Sequence, residues 1–103
     1  MFLHTVLFWL KSDVTTQEIA QFENGLDTIS AHPSVKFRFI GKPANSLQRD
    51  VVDSSFDYKL TVAFDDLKAH DAYQDAPEHL KFIEDCSAFW QKVTVYDAQD
   101  DLV

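Results

Sequence analysis

The chain has 103 residues, enough for one hydrophobic core and too few for two. With 46% hydrophobic and 14% aromatic residues it has the apolar supply of an ordered domain, and its nine Phe call for a core, an interface or an apolar pocket. A formal net charge of −8 excludes sequence-independent nucleic-acid binding, which needs a Lys/Arg surface, and disfavours an anionic membrane face.

The first predicted element is a strand over Phe2 to Leu10. One face carries Phe2, His4, Val6, Phe8 and Leu10, the other Leu3, Thr5, Leu7 and Trp9. Both faces are mostly apolar, so both must be covered. One helical layer covers one face, and the chain is too short to supply a second sheet. The strand pattern therefore predicts a homodimer packed through Leu3, Leu7 and Trp9. The same segment lacks the basic leader and small-residue cleavage site of a signal peptide. With no run of membrane-spanning length, a cytoplasmic protein is expected.

A helix follows. Thr15 and Glu18 have capping-box spacing, Ile19, Phe22, Leu26 and Ile29 keep the helical period, and His32-Pro33 stops it. The second strand is expected over Val35 to Ile40. Gly41 to Ser55 is a polar loop too long for a tight hairpin. The third strand, Phe56 to Phe64, puts Phe56, Tyr58, Leu60, Val62 and Phe64 on one face. A short helix is expected over Asp66 to Tyr73, then a fresh start at Asp75-Ala76-Pro77-Glu78, with Asp75 as cap and Pro77 in the first turn. The second short helix carries Leu80, Phe82, Ile83 and Cys86, and the last strand covers Trp90 to Tyr96. The order β-α-β-β-α-α-β predicts an α+β, ferredoxin-like subunit: a four-stranded antiparallel sheet with helices on one face.

Cys86 is the single cysteine, which rules out an internal disulfide and a thiolate zinc cluster within one chain. It falls on the apolar side of a helix and reads as buried packing. Gly25 and Gly41 are the only glycines, so no phosphate-binding or dinucleotide-binding glycine loop can be written. Asp97, Asp100 and Asp101 read as a charged tail; the sharper alternative, a divalent-ion site, lacks the glycine turn and bidentate Glu of a calcium loop. No metal and no cofactor is expected.

The residues suggestive of chemistry are Tyr73 and His79. On one continuous helix, six residues turn through about 600°, leaving the two side chains about 240° apart. Pro77 breaks the helix between them, so two short helices can turn both groups inward. His70 and Tyr73, one helical step apart, are a second pairing that surface packing explains equally well. If the even face of the first strand and the Tyr58 face of the third lie under the helices, His4, Tyr58, Tyr73 and His79 converge on one cavity walled by Val6, Phe8 and Leu60. That is the form of a small-molecule site. The bland alternative is a tyrosine and a histidine that complete the core.

Three stretches carry a family resemblance: His4-Thr5-Val6-Leu7-Phe8, then Tyr73 with Pro77-Glu78-His79, then Phe89-Trp90 leading to Val95-Tyr96-Asp97. Through them the chain resembles, over nearly its whole length, the stress-responsive dimeric α/β-barrel (Dabb) family, and a single such domain over residues 1–103 is expected. The resemblance implies a ferredoxin-like subunit whose dimer closes two sheets into a barrel. The plant polyketide cyclase branch is similar in using a tyrosine and a histidine as catalytic pair. It implies Tyr73 and His79 as catalytic residues of a cofactor-independent cyclase-like or lyase-like enzyme, with His4 lining the pocket. The chain departs from that branch at Tyr58 and Ala76, where histidines would be expected. Two alternatives stay open: a non-catalytic stress-responsive binding module, and a haem or monooxygenase-type barrel.

Overall fold

In the computed structural model, which describes residues 1–100, the alternation in the first strand decides the sheet. Strand β1 (Phe2–Leu10) pairs antiparallel with both β3 (Tyr58–Phe64) and β4 (Trp90–Gln99). Strand β2 (Phe37–Gly41) pairs with β3, giving the order β2-β3-β1-β4. The register sets Val6 beside Leu60 and His4 beside Val62. With a period of two, Phe2, His4, Val6 and Phe8 then share one face with Tyr58, Leu60, Val62 and Phe64, and all eight are buried.

That face is covered by α1 (Thr16–Ile29), α2 (Leu67–Asp75) and α3 (Pro77–Cys86). The Thr15–Glu18 capping box forms in full, and Phe22, Leu26 and Ile29 bury the stripe that the period predicts. Helix α1 ends at Ile29, and tight turns through Ala31 and His32 lead to Pro33. Many of the aromatic residues go into the core: Phe8 packs on Phe22 and Trp90, and Phe22 on Tyr58, with ring centroids 5.0–5.2 Å apart. Gly25 permits the approach of α3, since a Cβ there would lie 2.5 Å from the Phe82 ring.

The structure corrects several boundaries. β2 begins at Phe37 because the Val35 N–H turns back to the His32 carbonyl. β3 begins at Tyr58, not Phe56, where the Asp57 carboxylate instead caps the Leu10 N–H. Asp75 belongs to the end of α2, so it is not the cap of α3; that role falls to Ala76, which has no side-chain acceptor. β4 runs three residues further, to Gln99, through pairing with the start of β1. Of the apolar side chains on α3, Phe82 and Cys86 are buried, as read for Cys86, while Leu80 and Ile83 are exposed.

Leu3, Leu7 and Trp9 lie on the uncovered face, together with Phe37, Phe39 and Tyr96. Leu3, Phe37, Phe39 and Tyr96 are exposed there, forming an apolar sheet surface with no helix over it. Among the described residues no helix is long and apolar enough to cross a membrane.

Candidate functional site

The edge position of β4 creates the cavity. Its register puts Val93 beside Phe8, Val95 beside Val6 and Asp97 beside His4. Val93, Val95 and the facing Ile83 of α3 remain exposed, so the helical layer leaves a mouth along this edge. Behind it lies a cavity of about 190 Å³. Val6, Phe8, Leu60, Phe82 and Trp90 supply apolar walls, and His4, Tyr73, Gln74 and His79 supply polar groups.

Tyr73 and His79 arrive there by a one-residue helix break. Ala76 is extended (φ −63°, ψ 142°), as a residue before proline prefers. Pro77 then takes the first position of α3, where its missing N–H removes no helical bond. The two rings meet edge to face with centroids 5.0 Å apart. No hydrogen bond joins them: Tyr73 Oη and His79 Nδ1 are both buried without a partner among the described residues, and so is Gln74 Oε1. Unpaired buried polar atoms cost about 1–3 kcal/mol each, so three of them on residues that line one cavity are a feature that packing alone would not favour. The same pair also borders a somewhat smaller cavity of about 150 Å³ beside His32 and Pro33.

The electrostatics assign distinct capacities. Burial holds the His79 imidazole below its ordinary value of 6.5, and the neighbouring His4 and His70 push it the same way. It is therefore neutral at neutral pH and able to accept a proton. Burial pushes the Tyr73 phenol up, which keeps it a donor. His4 is buried on β1, and its Nδ1 lies 2.6 Å from Asp97 Oδ1. A carboxylate oxygen only accepts, so Nδ1 donates and Nε2 is left as the acceptor. Burial lowers the His4 value, and the Asp97 hydrogen bond opposes that.

Of the residues expected to converge, His4, Val6, Phe8, Leu60, Tyr73 and His79 all border this cavity. Tyr58 does not. Its ring shares the helix-facing side of the sheet but stands at the far end, where its hydroxyl donates to Glu23 and it borders a different depression. The alternation fixed its face but not its position along the strand. His70 and Tyr73 do not pair on the surface: both are buried, and His70 Nδ1 turns to Asp71 at 3.0 Å. The Asp97–Asp100 arrangement also separates, with Asp97 bound to His4 and Asp100 to the N-terminal ammonium at 2.7 Å; Asp101 lies outside the described residues.

Sequence reasoning passed over Gln74 as a site residue, and weighed Asp97 only with Asp100 and Asp101, as a charged tail or a divalent-ion site. Gln74 follows Tyr73 directly, but an isolated glutamine on a short helix carries no pattern. Asp97 stands in the same Val-Tyr-Asp stretch, and its meaning depends on the β1–β4 register.

The family model of the stress responsive A/B barrel domain matches residues 2–100. Among solved structures, the hydroxynitrile lyase of Passiflora edulis is similar with a TM-score of 0.80 at 17% identity, covering 99% of this chain and 95% of that one. A Dabb-family protein with a ferredoxin-like fold from Mesorhizobium loti has a TM-score of 0.74 at 24% identity, covering 95% and 94%. A dimeric ferredoxin-like protein of unknown function from Thermobifida fusca has a TM-score of 0.76 at 19% identity, covering 94% and 88%. At these identities the likeness is one of fold. No curated protein is significantly similar to the chain in sequence.

Proposed function

The chain belongs to the stress-responsive A/B barrel (Dabb) family, and from that premise we propose a homodimer that binds a small, largely apolar carbonyl or phenolic compound and moves a proton on it. The observation that carries this reading is that three residues lining one largely apolar cavity, Tyr73, Gln74 and His79, each keep a buried polar atom (Oη, Oε1 and Nδ1) without a partner among the described residues. A ligand oxygen among them would satisfy the Tyr73 donor, and a ligand hydroxyl would satisfy the Gln74 acceptor. The volume of about 190 Å³ suits a compound of about one ring, being below the roughly 300–1,000 Å³ typical of drug-sized sites. It disfavours a tetrapyrrole.

Chemically, neutral His79 would remove a proton from the carbon next to the ligand carbonyl. Tyr73 would donate a hydrogen bond to the enolate oxygen as its charge develops. Its burial suits that role, since a phenol that resists ionisation stays a donor throughout. Tyr73 does not orient His79 by a direct hydrogen bond, because neither atom has a protein partner. That the Passiflora edulis neighbour is a hydroxynitrile lyase supports proton-transfer chemistry on this fold, as an analogy.

The homodimer is supported by the exposed apolar sheet face and by the dimeric description of the Thermobifida fusca neighbour. Leu3, Leu7 and Trp9 would pack against the partner's sheet.

The test is a thermal-shift screen of one-ring phenols, hydroxy-ketones and cyanohydrins, followed by turnover assays on every ligand found. Turnover lost in both Tyr73→Phe and His79→Ala supports the enzyme. Full turnover in either variant removes the pair from the mechanism. A ligand that binds tightly and is returned unchanged favours a binding module without chemistry.

A further inference from the structure

Beside the cavity, at the Asp97 end of its mouth, stand three metal-ligating side chains whose combination the proposed proton transfer does not use. His4 comes from β1, His70 from α2 and Asp97 from β4, and one ligand atom from each lies within 4.8 Å of the other two. His4 and His70 are buried, their rings 4.9 Å apart centroid to centroid, and Phe2 and Phe64 pack on His70. His70 has one nitrogen engaged, Nδ1 with Asp71; its Nε2 is fully buried and has no partner. A second imidazole with an unsatisfied nitrogen, set against a hydrogen-bonded His–Asp pair, is more than that pair needs.

We infer that His4, His70 and Asp97 form a binding site for a divalent first-row transition ion, with zinc the best suited. Two imidazoles and one carboxylate match the borderline donor preference of such ions. Magnesium and calcium call for oxygen ligands throughout, which this set does not offer. In a tetrahedral zinc site with bonds near 2.0–2.1 Å, neighbouring ligand atoms stand about 3.3 Å apart. His4 Nδ1 and Asp97 are already closer than that, at 2.6 Å, and the cluster as a whole closes by a shift of about an ångström or two at the imidazoles.

Binding is balanced in protons. The ion takes the place of the proton between His4 Nδ1 and Asp97, the imidazole carries its proton on Nε2 instead, and the ring stays neutral. Asp97 is the way in, because its side chain is 40% exposed while that of His4 is 4% exposed. Three protein ligands leave a coordination position open, which is the arrangement of a reactive or exchangeable zinc site rather than a closed structural one. His4 also borders the cavity, so the ion's open position would adjoin the bound compound.

The test uses the full chain, stripped with a chelator and titrated with Zn²⁺ alone by calorimetry, then with Co²⁺ while the visible absorption of tetrahedral cobalt is followed. One ion per chain is expected. His70→Phe, which keeps an aromatic ring between Phe2 and Phe64, and Asp97→Asn, at a half-exposed position, should each weaken binding by about tenfold or more and remove the cobalt absorption. His79→Ala and His32→Ala should leave both unchanged. Absence of Zn²⁺ binding in the wild-type protein overturns the site. So does binding that survives both His70→Phe and Asp97→Asn, since the ion then sits elsewhere. Because the readout is ion binding, the site can fail while the Tyr73–His79 chemistry stands, and the reverse.

Discussion

Tyr73 and His79 face each other edge to face, 5.0 Å between ring centroids, across a helix interruption one residue long. They touch as rings yet leave both their inward polar atoms without a protein partner. A pair serving the core alone would have closed that hydrogen bond or kept its polar atoms in water. In the proposed function this pair would offer a donor and an acceptor to a bound compound.

The proposed proton transfer divides between the two groups. His79→Ala should reduce kcat/KM of an identified substrate by about 10²–10⁴-fold through loss of the base. Tyr73→Phe should reduce kcat by about 10²–10³-fold through loss of enolate stabilisation, with a smaller change in KM. Steady-state kinetics on both variants checks this, and a Tyr73→Phe enzyme at wild-type rate contradicts it.

The two buried tyrosines should respond oppositely to loss of the hydroxyl. Tyr73 Oη has no partner, so Tyr73→Phe should leave stability unchanged or raise it. Tyr58 donates to Glu23, so Tyr58→Phe should cost about 1 kcal/mol. Urea denaturation of both variants gives the comparison directly.

A pH dependence follows from His79. Burial lowers its value below 6.5, with further lowering from His4 on β1 and His70 on α2. Tyr73 on α2 and His32 in the turn after α1 also border the spaces it faces, and Glu78 adjoins it on α3. Below its ordinary value the unfolded chain binds the proton more readily than the folded one. The contribution of His79 to stability is therefore complete above pH 6.5 and is lost as pH falls through its lowered folded value. The acid limb of kcat/KM should lie below pH 6.5 for the same reason. A limb at or above 6.5 that persists in the absence of other titrating substrate groups would remove His79 as the base.

Dimerisation is testable at Trp9. Its indole lies on the uncovered sheet face, where Lys92 stacks on it at 4.5 Å. Trp9→Glu would place a carboxylate in the proposed sheet-to-sheet contact and should yield monomer or aggregate in size-exclusion chromatography with light scattering. An unchanged dimer mass counts against this interface.

Gly25→Ala probes the α1–α3 contact. The added methyl would meet Phe82 Cδ1 at 2.5 Å and Cε1 at 2.9 Å, and Phe82 is held by Phe8, Phe22 and Trp90. Overpacking of about 1–3 kcal/mol should exceed the roughly 1 kcal/mol of helix propensity gained, lowering the thermal midpoint. A raised midpoint would show that the ring can move aside.

Local patterning in the chain was enough to determine the elements, their order and the two faces of β1. Alternation, capping spacing and proline position are local signals, and each reports on a few neighbouring residues. They brought out the helix break at Ala76-Pro77, and with it the reason Tyr73 and His79 can face the same way. They also marked His4, Val6, Phe8 and Leu60 as inward-facing. What they could not set was distance along the sheet and pairing across it. Tyr58 has the right face and the wrong end, with its hydroxyl on Glu23. Asp97 read as part of an acidic tail until the β1–β4 register placed it beside His4, and His70 was left between pairing with Tyr73 and surface packing until the α2 docking buried it against Phe2 and Phe64. Strand register and helix docking are fixed by contacts between residues far apart in the chain. The cavity, its three partnerless atoms and the His4–His70–Asp97 cluster therefore exist only in the tertiary structure.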